Sequence, residues 1–143
     1  MVDLGGPNRA NHAAVFPGPW VRALLPTAVL ACVDAGPLHG YAIAQALGEL
    51  GFGVPKGGSL YPALARLEED GALEAAWVPG PSGPARREYT LTAQGYERLE
   101  GERALLAMFT ARLDASVNRH DGVTQTAVVV TGSALRKGAS DVR

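Results

Sequence analysis

The side chains best suited to chemistry in this 143-residue chain are cations and hydroxyls gathered between residues 56 and 87: Lys56, Ser59, Tyr61, Arg66, Arg86 and Arg87. All are donors that can hold phosphate oxygens. Catalysis finds no comparable set. The histidines, His12, His39 and His120, lie in different segments, no paired-His metal spacing occurs, and neither GxSxG nor HExxH is present. The expectation is therefore no enzyme, no catalytic residue, no metal and no cofactor. Lys56 sits in a glycine-rich run, Phe52 to Gly58, that invites comparison with a nucleotide phosphate loop. That loop needs Lys followed directly by Ser or Thr, whereas Lys56 is followed by Gly57 and Gly58. The better reading is a turn whose glycines let the backbone approach a phosphate at a helix N-terminus, with Lys56 adding charge.

The elements that must position these residues follow from periodicity. Ser59 can cap a helix whose inner face is Leu60, Leu64 and Leu67, which leaves Tyr61, Pro62, Ala65 and Arg66 outward. Pro62 then stands at the third helical position, where its missing N–H costs nothing. Gly71 ends the helix. Ala72 to Val78 and Arg87 to Leu91 read as strands around PGPSGPAR, a loop too rich in Pro and Gly for either element. Helix, hairpin and basic-tipped loop in that order make a winged helix. The fold class is α+β, mainly α.

Upstream, Trp20 to Ala35 is apolar at Leu24, Leu25, Ala28, Val29 and Val33, which predicts a buried first helix with Pro26 in its first turn. Trp20 and Leu24 fit a separate short turn equally well. Leu38-His39-Gly40-Tyr41 opens a second helix with Ile43, Ala46, Leu47 and Leu50 on one face. His39 there reads as a helix-start histidine bonded to backbone or water. Tyr41 is either core or a phosphate contact. Thr92 can cap a last helix, Ala93 to about Val117, whose outer half carries the apolar stripe Leu106, Phe109, Leu113 and Val117. Beyond His120-Asp121-Gly122 stands a short β-prone run, Ala127 to Thr131.

Three blocks, GPLHGYAIAQAL, GSLYPALARLEEDGALEAAW and GPARREYTLTAQG, resemble the PadR family of bacterial transcriptional regulators in order and spacing. The resemblance covers roughly residues 25–99. It implies a cytoplasmic, dimeric winged-helix repressor whose C-terminal helix joins two subunits. Double-stranded DNA would take the third helix in its major groove, with Tyr61, Pro62, Ala65 and Arg66 towards bases and backbone and Lys56, Gly58 and Ser59 on phosphates. Tyr41 would add a phosphate contact, and Arg86 with Arg87 would bring the wing to an adjacent backbone or minor groove. Arg66 can instead pair with Glu69 or Asp70. Ala65 departs from the basic or polar residue common in the family, and Glu88 from an aromatic. The homodimer would form through Leu106, Phe109, Leu113 and Val117. A small apolar or aromatic effector is expected near Trp20 or Trp77, between the dimer helix and the winged core.

Composition bounds these expectations. Thirteen Lys and Arg against 14 Asp and Glu leave a net charge of −1, so any DNA binding must come from a local patch. A winged-helix module that binds protein rather than DNA is the rival, and salt dependence separates the two. Cys32 is the single cysteine, which excludes an internal disulfide and fits a small apolar residue in a reducing compartment. The N-terminus lacks a basic stretch followed by an apolar run, so no secretory signal is expected, and Val21 to Val33 is too short for a membrane span. The organisation expected is a flexible arm at 1–19, a winged-helix domain at 20–92, a dimerisation helix at 93–118 and a mostly disordered tail at 119–143.

Overall fold

A computed structural model describes residues 13–130, with side chains as far as Arg119. Two compact units divide the chain, one ending at Glu102 and one beginning at Arg103. The elements are α1 (Gly18–Asp34), β1 (Leu38–His39), α2 (Gly40–Leu50), α3 (Gly57–Glu69), β2 (Leu73–Val78), β3 (Arg86–Leu91) and α4 (Ala93–Val130). Among the described residues no helix is long and apolar enough to cross a membrane.

The core of the first unit is built from the faces that the periodicity marks. Leu60, Leu64 and Leu67 of α3 are buried against Val29, Leu30 and Val33 of α1, Ile43 and Leu47 of α2, Leu73 of β2, Tyr89 of β3 and Leu99 of α4. On α2 the buried face is Ile43, Ala44, Leu47 and Gly48, while Leu50 is 47% exposed. Gly51 ends that helix at φ 99°, a left-handed conformation that a side chain would strain.

The sheet is antiparallel in the order β1-β3-β2. β2 and β3 lie within a residue of expectation and pair Leu73 with Leu91 through Val78 with Arg86. β1 was expected to be the opening of α2. Leu38 and His39 instead pair with Tyr89 and Glu88, and α2 starts at Gly40. His39 still serves the helix start, for its Nδ1 accepts from the Ala42 N–H at 3.3 Å.

Four further expectations are corrected. Residues 13–17 are tied down: Ala14 bridges to Phe52, the Val15 N–H donates to the Gly51 carbonyl at 2.8 Å, and the Phe16 ring meets Phe52 edge-on. Residues 1–12 of the expected arm lie outside the described residues. α1 starts at Gly18 with Pro19 in its first turn, so Pro26 falls in the helix interior, where its missing N–H leaves the Arg22 carbonyl without a ladder partner. The last helix runs to Val130, through the expected β-prone run, because nothing after Thr92 stops it. Its glycines, Gly95, Gly101 and Gly122, each cost only ~1 kcal/mol in a helix interior and no proline follows Pro84. The tail expected from residue 119 is thus helical as far as Val130, and residues 131–143 lie outside the described residues. Finally, Ser59 does not cap α3, as set out below.

Thr92 does cap α4. Its Oγ1 accepts from the Gly95 N–H at 2.9 Å and donates back to the carbonyls of Gly71 at 2.7 Å and Ala72 at 3.1 Å. Polar links hold the same corner. Thr27 Oγ1 donates to Glu102 Oε1 at 2.7 Å, Arg98 bonds the other Glu102 oxygen at 2.9 Å, and Arg98 reaches Asp70 at 3.4 Å.

Burial pushes the Cys32 thiol up to about 11 from an ordinary value near 9, and the Glu49 carboxylate adds to the rise. The fold therefore prefers the neutral thiol, a preference that costs nothing below the unfolded value of 9 and destabilises as pH climbs towards 11. A thiol reagent at pH 8 is expected to label Cys32 slowly in the native protein and rapidly in urea. Equal rates would put the thiol on the surface.

Candidate nucleic-acid interface

α3 begins at Gly57 with Lys56 as its N-cap, three residues earlier than expected. No side chain caps it, and Ser59 Oγ donates to the Lys56 carbonyl at 3.2 Å. The N–H groups of Gly57 and Gly58 therefore lie in the first turn, where a helix supplies them no acceptor. A Cβ added at Gly58 would meet nothing within 4 Å. This is open backbone at the positive end of a helix, beside an exposed Lys56. The early start also moves Pro62 from the third helical position to the interior, where its missing N–H frees the Gly58 carbonyl.

Tyr61, Pro62, Ala65 and Arg66 are all exposed along the outward face. Tyr61 lies over the start of α2: a Cβ at Gly40 would come within 2.5 Å of its hydroxyl oxygen, so a glycine there lets the ring settle. Tyr41 is 69% exposed and stacks on His39 with centroids 6.4 Å apart, which removes the core reading left open for it. Arg66 Nε is 3.5 Å from Asp70 Oδ1, the alternative pairing foreseen, yet its side chain stays 75% exposed and can still reach outward.

The two wing arginines behave differently. Arg86 is exposed at the start of β3. Arg87 was expected to reach DNA, but its Nη2 donates to both oxygens of Glu68 at 3.0 and 2.9 Å. Its guanidinium also lies 5.8 Å from the Trp77 ring centroid and 6.0 Å from that of Tyr89, and its Nε is buried with no partner. Its charge is used inside the fold, joining β3 to α3.

These pieces enclose one groove of about 550 Å³, lined by His39, Gly40, Tyr41, Tyr61, Trp77, Arg86, Arg87 and Tyr89. No carboxylate lines it. Four of the ten residues expected at the DNA interface, Tyr41, Tyr61, Arg86 and Arg87, meet there, while Lys56, Gly58, Ser59, Pro62, Ala65 and Arg66 lie along α3 outside its walls. Trp77 was read only as an effector contact, and its place on the groove follows from the hairpin register rather than from any local pattern. Burial pushes the Tyr89 phenol up despite the opposing Arg87 guanidinium, which keeps its hydroxyl protonated at neutral pH.

Comparison with known proteins decides the family. The model of the transcriptional regulator PadR-like family matches residues 29–101, just over half of the chain. The chain belongs to the PadR-like family. A PadR-like transcription factor from Bacteroides fragilis is similar to it over 68% of this chain and 93% of its own, at 27% identity and a TM-score of 0.60. A PadR family regulator from Eggerthella lenta matches over 69% and 86%, at 27% and 0.61. One from Bacillus cereus, at 24% identity and 0.63 over 69% and 96%, supports the fold alone. In sequence, an uncharacterised 37.1 kDa protein in transposon TN4556 of Streptomyces fradiae is 38% identical over 85 residues, 59% of this chain. The chain spans about a quarter of that curated relative's length. The PadR-like match thus runs from within α1 to the first turns of α4 and takes in α2, α3 and the wing, which line the groove.

Proposed function

We propose that this PadR-like regulator binds double-stranded DNA sequence-specifically and acts as a dimeric repressor on a palindromic operator. The observation that carries the reading is the outward face of α3, Lys56 to Arg66, which is exposed except at Leu60, Ala63 and Leu64 and meets a carboxylate-free groove shared with the wing. A helix presented in this way suits a major groove, its open first turn suits a phosphate, and Arg86 extends the footprint. A protein that works on the chromosome of a bacterium does so in the cytoplasm. The resemblance also implies an apolar or aromatic effector near Trp20 or Trp77, which are 57% and 67% exposed.

Selection of bound sequences from a random duplex pool tests the reading, and an inverted repeat is the expected result. Failure to enrich any duplex would remove it. Arg86→Ala with Arg87→Ala is expected to lower the salt dependence of binding by about one unit rather than two, because Glu68 already neutralises Arg87. Loss of two units would mean that Arg87 leaves Glu68 for a phosphate. A slope near zero in the parent would favour the protein-binding module instead.

A further inference from the structure

We propose that Trp77 is a DNA-contacting residue, its indole packing on the sugar–phosphate strand that fills the groove, and that Arg87 is the positioning residue that holds it there. The proposal rests on the DNA-binding reading above. Leu73, Ala75 and Trp77 alternate onto one face of β2, and the first of them is in the core at 2% exposed. Trp77 is therefore on the core-facing side of the hairpin, yet it is 67% exposed. A large aromatic this exposed on the inner face of a strand leaves most of its ring for a partner.

The surroundings say which partner. The same groove carries the exposed Tyr41 and Tyr61 rings and the free guanidinium of Arg86, so it offers aromatic faces and positive charge together. A deoxyribose–phosphate strand has matching parts, an apolar sugar face and an anionic oxygen, and the indole N–H is one more donor for that oxygen. An apolar peptide would leave Arg86 unpaired, and an acidic one would leave the aromatic faces uncovered.

Arg87 fixes the indole. Directly opposite Trp77 in the β2–β3 register, it stacks on the ring while Glu68 grips it from α3. A lysine at this position would keep the charge but lose the flat cation that lies over the indole.

The test uses the full chain carrying Trp20→Phe, in which Trp77 is the remaining tryptophan, and the duplex recovered by selection. Trp77 emission is expected to change in step with binding and to lose accessibility to acrylamide. Trp77→Ala is expected to weaken binding about tenfold, as for loss of an aromatic platform, with the salt slope unchanged because no charge is removed. Arg87→Lys keeps the charge and is expected to weaken binding as well, again with the slope intact. Emission that ignores a duplex the protein binds, or Trp77→Ala affinity within about twofold of the parent, would overturn the proposal. If the parent binds no duplex, the DNA reading falls first and this one with it.

Discussion

A protein carrying Phe109→Asp with Leu113→Asp is expected to sediment as a monomer and to lose tight binding to its operator. Leu106, Phe109, Leu113 and Val117 are 38%, 58%, 51% and 60% exposed, and they recur at three- and four-residue steps on α4. An apolar stripe of this kind left in water is unfavourable, at roughly 25 cal/mol for each Å² that a partner could cover. A second copy would supply the same stripe, and a two-fold axis would let each cover the other. Two α3 helices would then stand about one DNA turn apart, ~34 Å, and read successive major grooves of an inverted repeat. Two aspartates facing their own copies would put four uncompensated charges in that seam. One subunit, with few basic contacts and a net charge of −1, would hold DNA far more weakly. A double variant that stays dimeric would move the interface elsewhere, most simply to Trp20 through Leu25. A monomer that still binds as tightly would end the dependence on dimerisation.

Leu64→Ala is expected to destabilise the first unit by ~2–5 kcal/mol, since it opens a cavity at the centre of the core. Leu64 is 1% exposed and flanked by Leu60 and Leu67 at 2% and 1%. A loss of this size lowers the melting midpoint by about 8 °C or more in a domain of such length. Tyr61→Ala and Lys56→Ala are the counterparts. Both side chains are exposed, so these variants should melt near the parent while binding DNA less well. A Tyr61→Ala protein that melts far lower and binds normally would mean that α3 presents the wrong face.

The parts of the fold legible in the residues were those set by local period. Leucines at 60, 64 and 67 identify the buried face of α3 whichever residue begins the helix, and alternation with Pro and Gly punctuation marks the hairpin. Where α3 starts was not legible. Two glycines are poor helix formers, so Ser59 looked like the cap, whereas packing of the leucines extends the helix back to Gly57. β1 spans two residues, too few to show a period, and exists because β3 offers it an edge. The docking of Val15 on Gly51 depends on contacts between distant segments. So does the pairing of Arg87 with Glu68, 19 positions apart, which turned one expected phosphate contact into an internal tie. For the same reason the exposed face of α3 could be read residue by residue, whereas the place of Trp77, set by cross-strand register, could not.

The two-residue strand at Leu38 and His39 makes the start of α2 and the base of the wing a single opening unit. His39 is paired to Glu88 and also accepts from the Ala42 amide, so lifting the wing's root from β1 disturbs the first turn of α2 as well. Amide hydrogens across this joint should therefore exchange with solvent at a common rate set by one cooperative opening. The tip is different. Pro79 to Ala85 lies beyond the ladder that ends at the Val78 and Arg86 pair, so its backbone does not share the strand pairing. Arg86, on that last pair, is anchored by the ladder rather than by the loop, and under the DNA-binding reading its cation would keep its place whatever the loop does.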